Sequence, residues 1–181
     1  MVEPKESPPR TVGIVLFDQV EVLDFAGPYE VLSGARDDRG QACLRVLAIG
    51  ARSEVRCNGG LRVRVDATFS KCPPLDAIVV PGGPGADLPT SEQSEHIIPF
   101  LRARTARDPL IASVCTGAFI LGRAGLLAGR PATTHSKLRY ALRAEFPELD
   151  VRDEKVVDVG NIVTAAGVSS GIDLALHLLE R

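Results

Sequence analysis

The 181-residue chain reads as an α/β fold, a doubly wound and mostly parallel sheet with helices on both faces. Short β-branched runs alternate with longer stretches of helical spacing, as in strand–helix–strand units. The composition is 45% hydrophobic but only 4% aromatic, with no Trp, so the core is aliphatic and suits strands buried on both faces. Several strand-like runs end abruptly in glycine or in a small polar turn, the place where open α/β sheets hold ligands.

Residues 11–17, TVGIVLF, form the first buried strand, and residues 27–34 a helix that Pro28 starts at its first turn. Asp24 falls between them, at a strand's carboxyl end. Residues 43–49 make the second strand. Asn58-Gly59-Gly60 divides residues 54–57 from 61–66 as a hairpin turn does, and the hairpin reads as a peripheral addition to the sheet. Residues 77–80 are a fully apolar strand that ends in Pro81-Gly82-Gly83-Pro84-Gly85, and 91–107 is helical despite Pro99. Residues 110–114 form the next strand and 117–127 a helix, which leaves Cys115 and Thr116 in the turn. A short strand at 132–134, a helix at 136–146, edge segments at Val151 and 156–159, a core strand at 161–165 and a helix from Ser169 onward complete the order. Residues 1–10, with three prolines, read as a mobile tail, which leaves 11–181 as a single domain.

Several function classes drop out on composition. Twenty-one Lys and Arg against 23 Asp and Glu give a net charge of −2, too little cationic surplus for nucleic-acid binding by this chain alone. The longest nearly uncharged stretch, residues 110–122, is about half a hydrocarbon span, and the first ten residues lack the apolar run of a secretory signal. No membrane association and a cytoplasmic location follow as expectations. Cys43, Cys57, Cys72 and Cys115 contain no Cys-x-x-Cys spacing, so free thiols are expected. His96, His135 and His177 form no helical pair, so no metal site is expected.

The segment Ser113-Val114-Cys115-Thr116-Gly117 has the form of a nucleophile elbow, in which a strand enters a sharp turn, the reactive side chain occupies it, and a glycine lets the next helix pack close. The helix start favours thiolate over thiol, so a lowered cysteine pKa is expected. Cys115 is the nucleophile candidate; its alternative is a small buried hydrophobe, the reading preferred for Cys43. Gly82 and Gly83 could bring backbone N–H groups beside Cys115 and join the Thr116 N–H as an oxyanion site, although a simple tight turn accounts for them equally. Asp24 either caps the helix that follows or shares a proton with the thiol as a general acid. Thr116 could add a hydroxyl contact to an intermediate. Glu30 and His135 are candidates for supporting roles, each with a structural alternative.

These residues resemble the ThiJ/PfpI superfamily of class I glutamine-amidotransferase-like proteins. The carriers are VGIVLFDQVEVLDFAGPYEVL, VVPGG, SVCTGAFILGRAGLLAGRPATTH and VTAAGVSSGIDLALHLL. The resemblance implies a flavodoxin-like fold, a nucleophilic cysteine and a homodimer. Protease-like members place a histidine directly after the cysteine, where this chain has Thr116, and chaperone- or glyoxalase-type members carry a glutamate where it has Asp24. The set Asp24, Cys115 and Thr116 is instead similar to that of isonitrile hydratases. It implies a lyase that hydrates a small isonitrile to an N-substituted formamide without a cofactor. The alternative is a non-catalytic ligand- or redox-sensing domain, similar to the N-terminal part of AraC-type regulators, which need a DNA-binding region of about 100 further residues. In both comparisons Ser136 replaces the usual Trp after the Ala-Thr-Thr-His run.

Overall fold

The computed structural model describes residues 9–87, 89–90, 92–105, 107 and 109–181. Its centre is a seven-stranded sheet of order β10-β11-β7-β6-β1-β2-β5, formed by Val156–Asp158, Ile162–Ala165, Leu110–Val114, Ala77–Val80, Arg10–Leu16, Leu44–Gly50 and Ala67–Thr68. All pairings are parallel except β10 with β11. Ile14, Val15, Leu16, Ile78, Val79, Val80 and Val114 are fully buried, as central strands covered on both faces require. The expected flavodoxin-like α/β fold is the one observed.

Helix α1 (Val22–Gly34) follows β1 and packs on α6 (Ser170–Leu179). The short α2 (Pro84–Asp87) and α3 (Ile98–Thr105) both pack on α4 (Gly117–Arg123). The chain moves from β1 to β2 in one direction and from β6 to β7 in the other, so right-handed crossovers put these groups on opposite faces. The order reverses between β1 and β6, a topological switch point that opens a crevice at the strands' carboxyl ends.

Several boundaries depart from the sequence reading. Arg10, assigned to the tail, opens β1 and pairs with Leu44, while residues 1–8 lie outside the described residues. Helix α1 begins at Val22 rather than Gly27, so Asp24 lies in its first turn and Pro28 inside it. Proline is tolerated there at the cost of one hydrogen bond to the Asp24 carbonyl, and its ring packs over Gly171 of α6. Within the stretch read as one helix over 91–107, the described residues form a π-helical turn, Gln93–Ile97, and then α3, while residues 91 and 106 lie outside them. Helix α5 (Arg139–Glu145) is preceded by the 3-10 turn Ser136–Leu138. Strands β3 (Glu54–Arg56) and β4 (Arg62–Arg64) form the expected hairpin as a separate two-stranded sheet. The edge strand β5 beyond it has no distinct sequence signal. Strands β8 (Pro131–Ala132) and β9 (Asp150–Val151) pair as a third small sheet.

Candidate active site

The carboxyl ends of β1, β6 and β7 each contribute a piece to one place. Strand β7 runs into Cys115, whose φ is +56°, a left-handed conformation that costs a non-glycine residue about 1–3 kcal/mol. The backbone around it is held at both ends: the Cys115 N–H donates to the Ala165 carbonyl at 3.0 Å and the Thr134 hydroxyl donates to the Cys115 carbonyl at 2.7 Å. Helix α4 starts immediately after Thr116, and a Cβ on Gly117 would run into the Val80 carbonyl. The expected glycine two positions past the thiol is therefore required by close packing of α4 on the end of β6.

Asp24 is fully buried. Its side chain does not cap its own helix: Oδ2 accepts from the Gly82 N–H at 3.1 Å. The Gly82 carbonyl in turn accepts from the Glu21 N–H at 2.8 Å, so one residue, through both its backbone groups, ties the β6 loop to the start of α1. A Cβ on Gly82 would lie 2.6 Å from the Thr116 nitrogen and 2.7 Å from Asp24 Oδ2, which makes glycine the residue that lets these groups converge. Asp24 Oδ1 is buried without a hydrogen-bond partner. Burial pushes the Asp24 carboxyl up from 3.8 to about 6, against the stabilising Gly82 N–H and the Cys115 side chain; Glu21 adds a smaller upward push.

The thiol is also shifted, in the direction opposite to expectation. Burial, reinforced by the charge of Asp24, pushes Cys115 up to about 12. The Thr116 N–H favours the thiolate but is outweighed by lost solvation. At neutral pH the pair therefore rests as a thiol beside a largely ionised carboxylate.

The glycine loop is engaged differently from the oxyanion arrangement read from sequence. The Gly82 N–H is taken by Asp24, and the Gly83 N–H donates to Thr116 Oγ1 at 2.8 Å, while the same hydroxyl donates to the Gly83 carbonyl at 3.1 Å. Both glycines hold Asp24 and Thr116 in place, and the Thr116 N–H is the backbone donor that acts on the sulfur. Glu30 does not join the site. It lies exposed on α1 and lines a separate cavity with Phe25, Tyr29 and Arg64. His135 is half-buried against Gly167, and its Nδ1 accepts from the Lys137 N–H at 3.3 Å, a local capping role. Cys43, expected inside, is exposed because β2 begins one residue later. Two contributors went unread. Thr134 directly precedes His135 in the Ala-Thr-Thr-His run. Gln93 is buried and donates to the Gly85 carbonyl at 2.6 Å, anchoring the glycine loop from the π-helical turn that follows it.

A strand–thiol–helix elbow facing a buried carboxyl at the switch point of a doubly wound sheet defines a class, the α/β domains organised around an elbow cysteine. A profile of the DJ-1/PfpI family matches residues 10–181, and the chain belongs to that family. It is 39% identical over 170 residues to isonitrile hydratase from Pseudomonas putida, covering 94% of this chain and 71% of that protein. It is 30% identical over 182 residues to the HTH-type transcriptional regulator GbdR from Pseudomonas aeruginosa, covering 99% of this chain and 48% of the regulator. The chain thus spans about half the length of that regulator. Among solved structures, a ThiJ/PfpI family protein from Pseudomonas syringae superposes with a TM-score of 0.79 at 28% identity, covering 99% of this chain and 76% of that one. No helix among the described residues is long and apolar enough to cross a membrane.

Proposed function

We propose that the protein is a lyase that hydrates a small isonitrile to an N-substituted formamide, with Cys115 as nucleophile, Asp24 as proton carrier and Thr116 ordering the turn between them. The observation that supports this best is the buried Asp24 carboxyl set against the thiol of a positive-φ elbow. Likeness to isonitrile hydratase across most of the chain adds to it.

The thiol holds its proton at rest, so attack and proton transfer must be coupled. Sulfur bonds to the terminal isonitrile carbon as its S–H breaks, and the proton passes through Asp24 to the same carbon, giving an S-linked thioformimidate. Water then adds to that carbon. Asp24 takes one of its protons and passes it to the imine nitrogen, leaving a neutral tetrahedral adduct and an ionised Asp24. The C–S bond breaks with its electron pair returning to sulfur, the adduct's hydroxyl proton returns to the thiol through Asp24, and the formamide leaves. Oδ1, buried and without a partner, is a free acceptor for the water step. The residues supply acid, base and nucleophile, so the scheme calls on no cofactor. The reading includes a cytoplasmic homodimer.

Incubation with cyclohexyl isocyanide is expected to yield N-cyclohexylformamide. Cys115→Ala should fall to the uncatalysed background, and Asp24→Asn should lose about 10²-fold or more. Wild-type turnover no better than that of Cys115→Ala would end the reading. The regulator likeness, which covers 99% of the chain, favours a second one, a ligand-sensing domain without turnover. It requires saturable binding by calorimetry with no product formed.

A further inference from the structure

We propose that Thr134 is a positioning residue that holds the Cys115 thiol in register with Asp24; the inference rests on the reading of Cys115 as the reactive group. A cysteine at φ +56° does not stay there on its own preference. Its N–H is fixed by the Ala165 carbonyl. Its carbonyl has two partners, the Ala118 N–H at 3.5 Å and the Thr134 hydroxyl at 2.7 Å. The second is the short one, and Thr134 is fully buried, so water cannot replace it.

Thr134 is itself braced. The neighbouring Thr133 N–H donates to Thr164 Oγ1 at 2.8 Å, and the Thr133 hydroxyl reaches the Arg152 and Glu154 carbonyls at 3.1 and 3.0 Å. Thr164 sits on β11 opposite Ser113 of β7. The bonds from Thr133 to Thr164 Oγ1 and to the Arg152 and Glu154 carbonyls therefore anchor the backbone at residues 133–134, and the Thr134 hydroxyl carries that anchorage to the elbow carbonyl, setting the direction in which the side chain of residue 115 leaves the backbone.

Removing the hydroxyl leaves a buried carbonyl short of its main partner. The elbow then relaxes away from positive φ, carrying the sulfur off Asp24 and off the Thr116 N–H. The ionisable and polar groups facing the thiol are Asp24 from α1 and Thr116 from the turn; Glu21 acts on Asp24 in turn, and the Gly82-Gly83 loop brings no charge.

The test is alkylation of the intact protein by iodoacetamide, with the rate at Cys115 followed by peptide mass spectrometry from pH 5 to 11. Wild type should show a lower limb near pH 6, where Asp24 ionises and can accept the thiol proton, and a second rise toward high pH. Thr134→Val should lose the lower limb and move toward a single ordinary thiol titration near 9. Thr134→Ser should restore both limbs. If the Val variant does not fold, Thr134→Cys, which keeps the volume but donates weakly, takes its place with the same expectation. A Val or Cys variant that retains both limbs overturns the proposal. A wild type lacking the lower limb instead sinks the Asp24–Cys115 partnership on which it rests.

Discussion

Asp24 prefers to be neutral where it sits, and that preference has a measurable cost. Its folded value of about 6 lies above the ordinary 3.8, so between those pH values the native state binds more proton than the unfolded chain. Stability therefore falls as pH rises from about 4 to 6 and stays lower above that window, by on the order of 2–3 kcal/mol. Asp24→Asn removes the titration, and the difference in unfolding free energy between variant and wild type should grow across this window and then level off. Denaturant titrations at pH 4, 5, 6 and 7 measure it. At this scale the sequence located the two principal side chains, because an elbow and a carboxylate after a strand have local signatures. It misjudged the acidity of Cys115, since the balance between a nearby N–H and lost solvation depends on burial in the folded chain and on the charge of Asp24, far away in the sequence.

Among the elements, the loop between β6 and α3 shows how a short glycine-rich segment becomes a fixed support. Gln93 spans it through Gly85, while Arg123 of α4 donates to the Ala86 carbonyl and Gln93 Oε1, each at 2.8 Å, and pairs with Glu145 of α5. Gln93→Leu removes the buried side-chain donor to the Gly85 carbonyl and the acceptor for Arg123 and is expected to cost about 1–3 kcal/mol. It should appear as a lower urea midpoint with an unchanged m-value. The order of strands and helices was legible from periodicity. The π-helical turn that carries Gln93 was not, because its hydrogen bonds shift by one residue without altering the apolar pattern. The early start of α1 was hidden by Pro28, whose position suggests a first turn but which here serves contact with Gly171.

For the molecule as a whole, the switch point explains why residues from three separate strand ends converge, and aliphatic runs in the sequence were enough to place those strands at the centre. What covers the outer face of α1 and α6 was beyond such reasoning, because solvent and a partner surface look alike in a single sequence. Leu23, Ile172 and Leu176 stay exposed there. The proposed homodimer should give twice the chain mass by light scattering at micromolar concentration, and a monomer under those conditions would remove it. The raised thiol has a wider consequence. Below about pH 6, where Asp24 is protonated and cannot accept the thiol proton, sulfur 115 gives up its proton less readily in the native chain than in a denatured one, so oxidants and other electrophiles capture preferentially those molecules that have come apart. Chemical ageing of a sample should thus track its unfolded fraction, and a reductant added during heating would protect recovery more than one added beforehand to the intact protein.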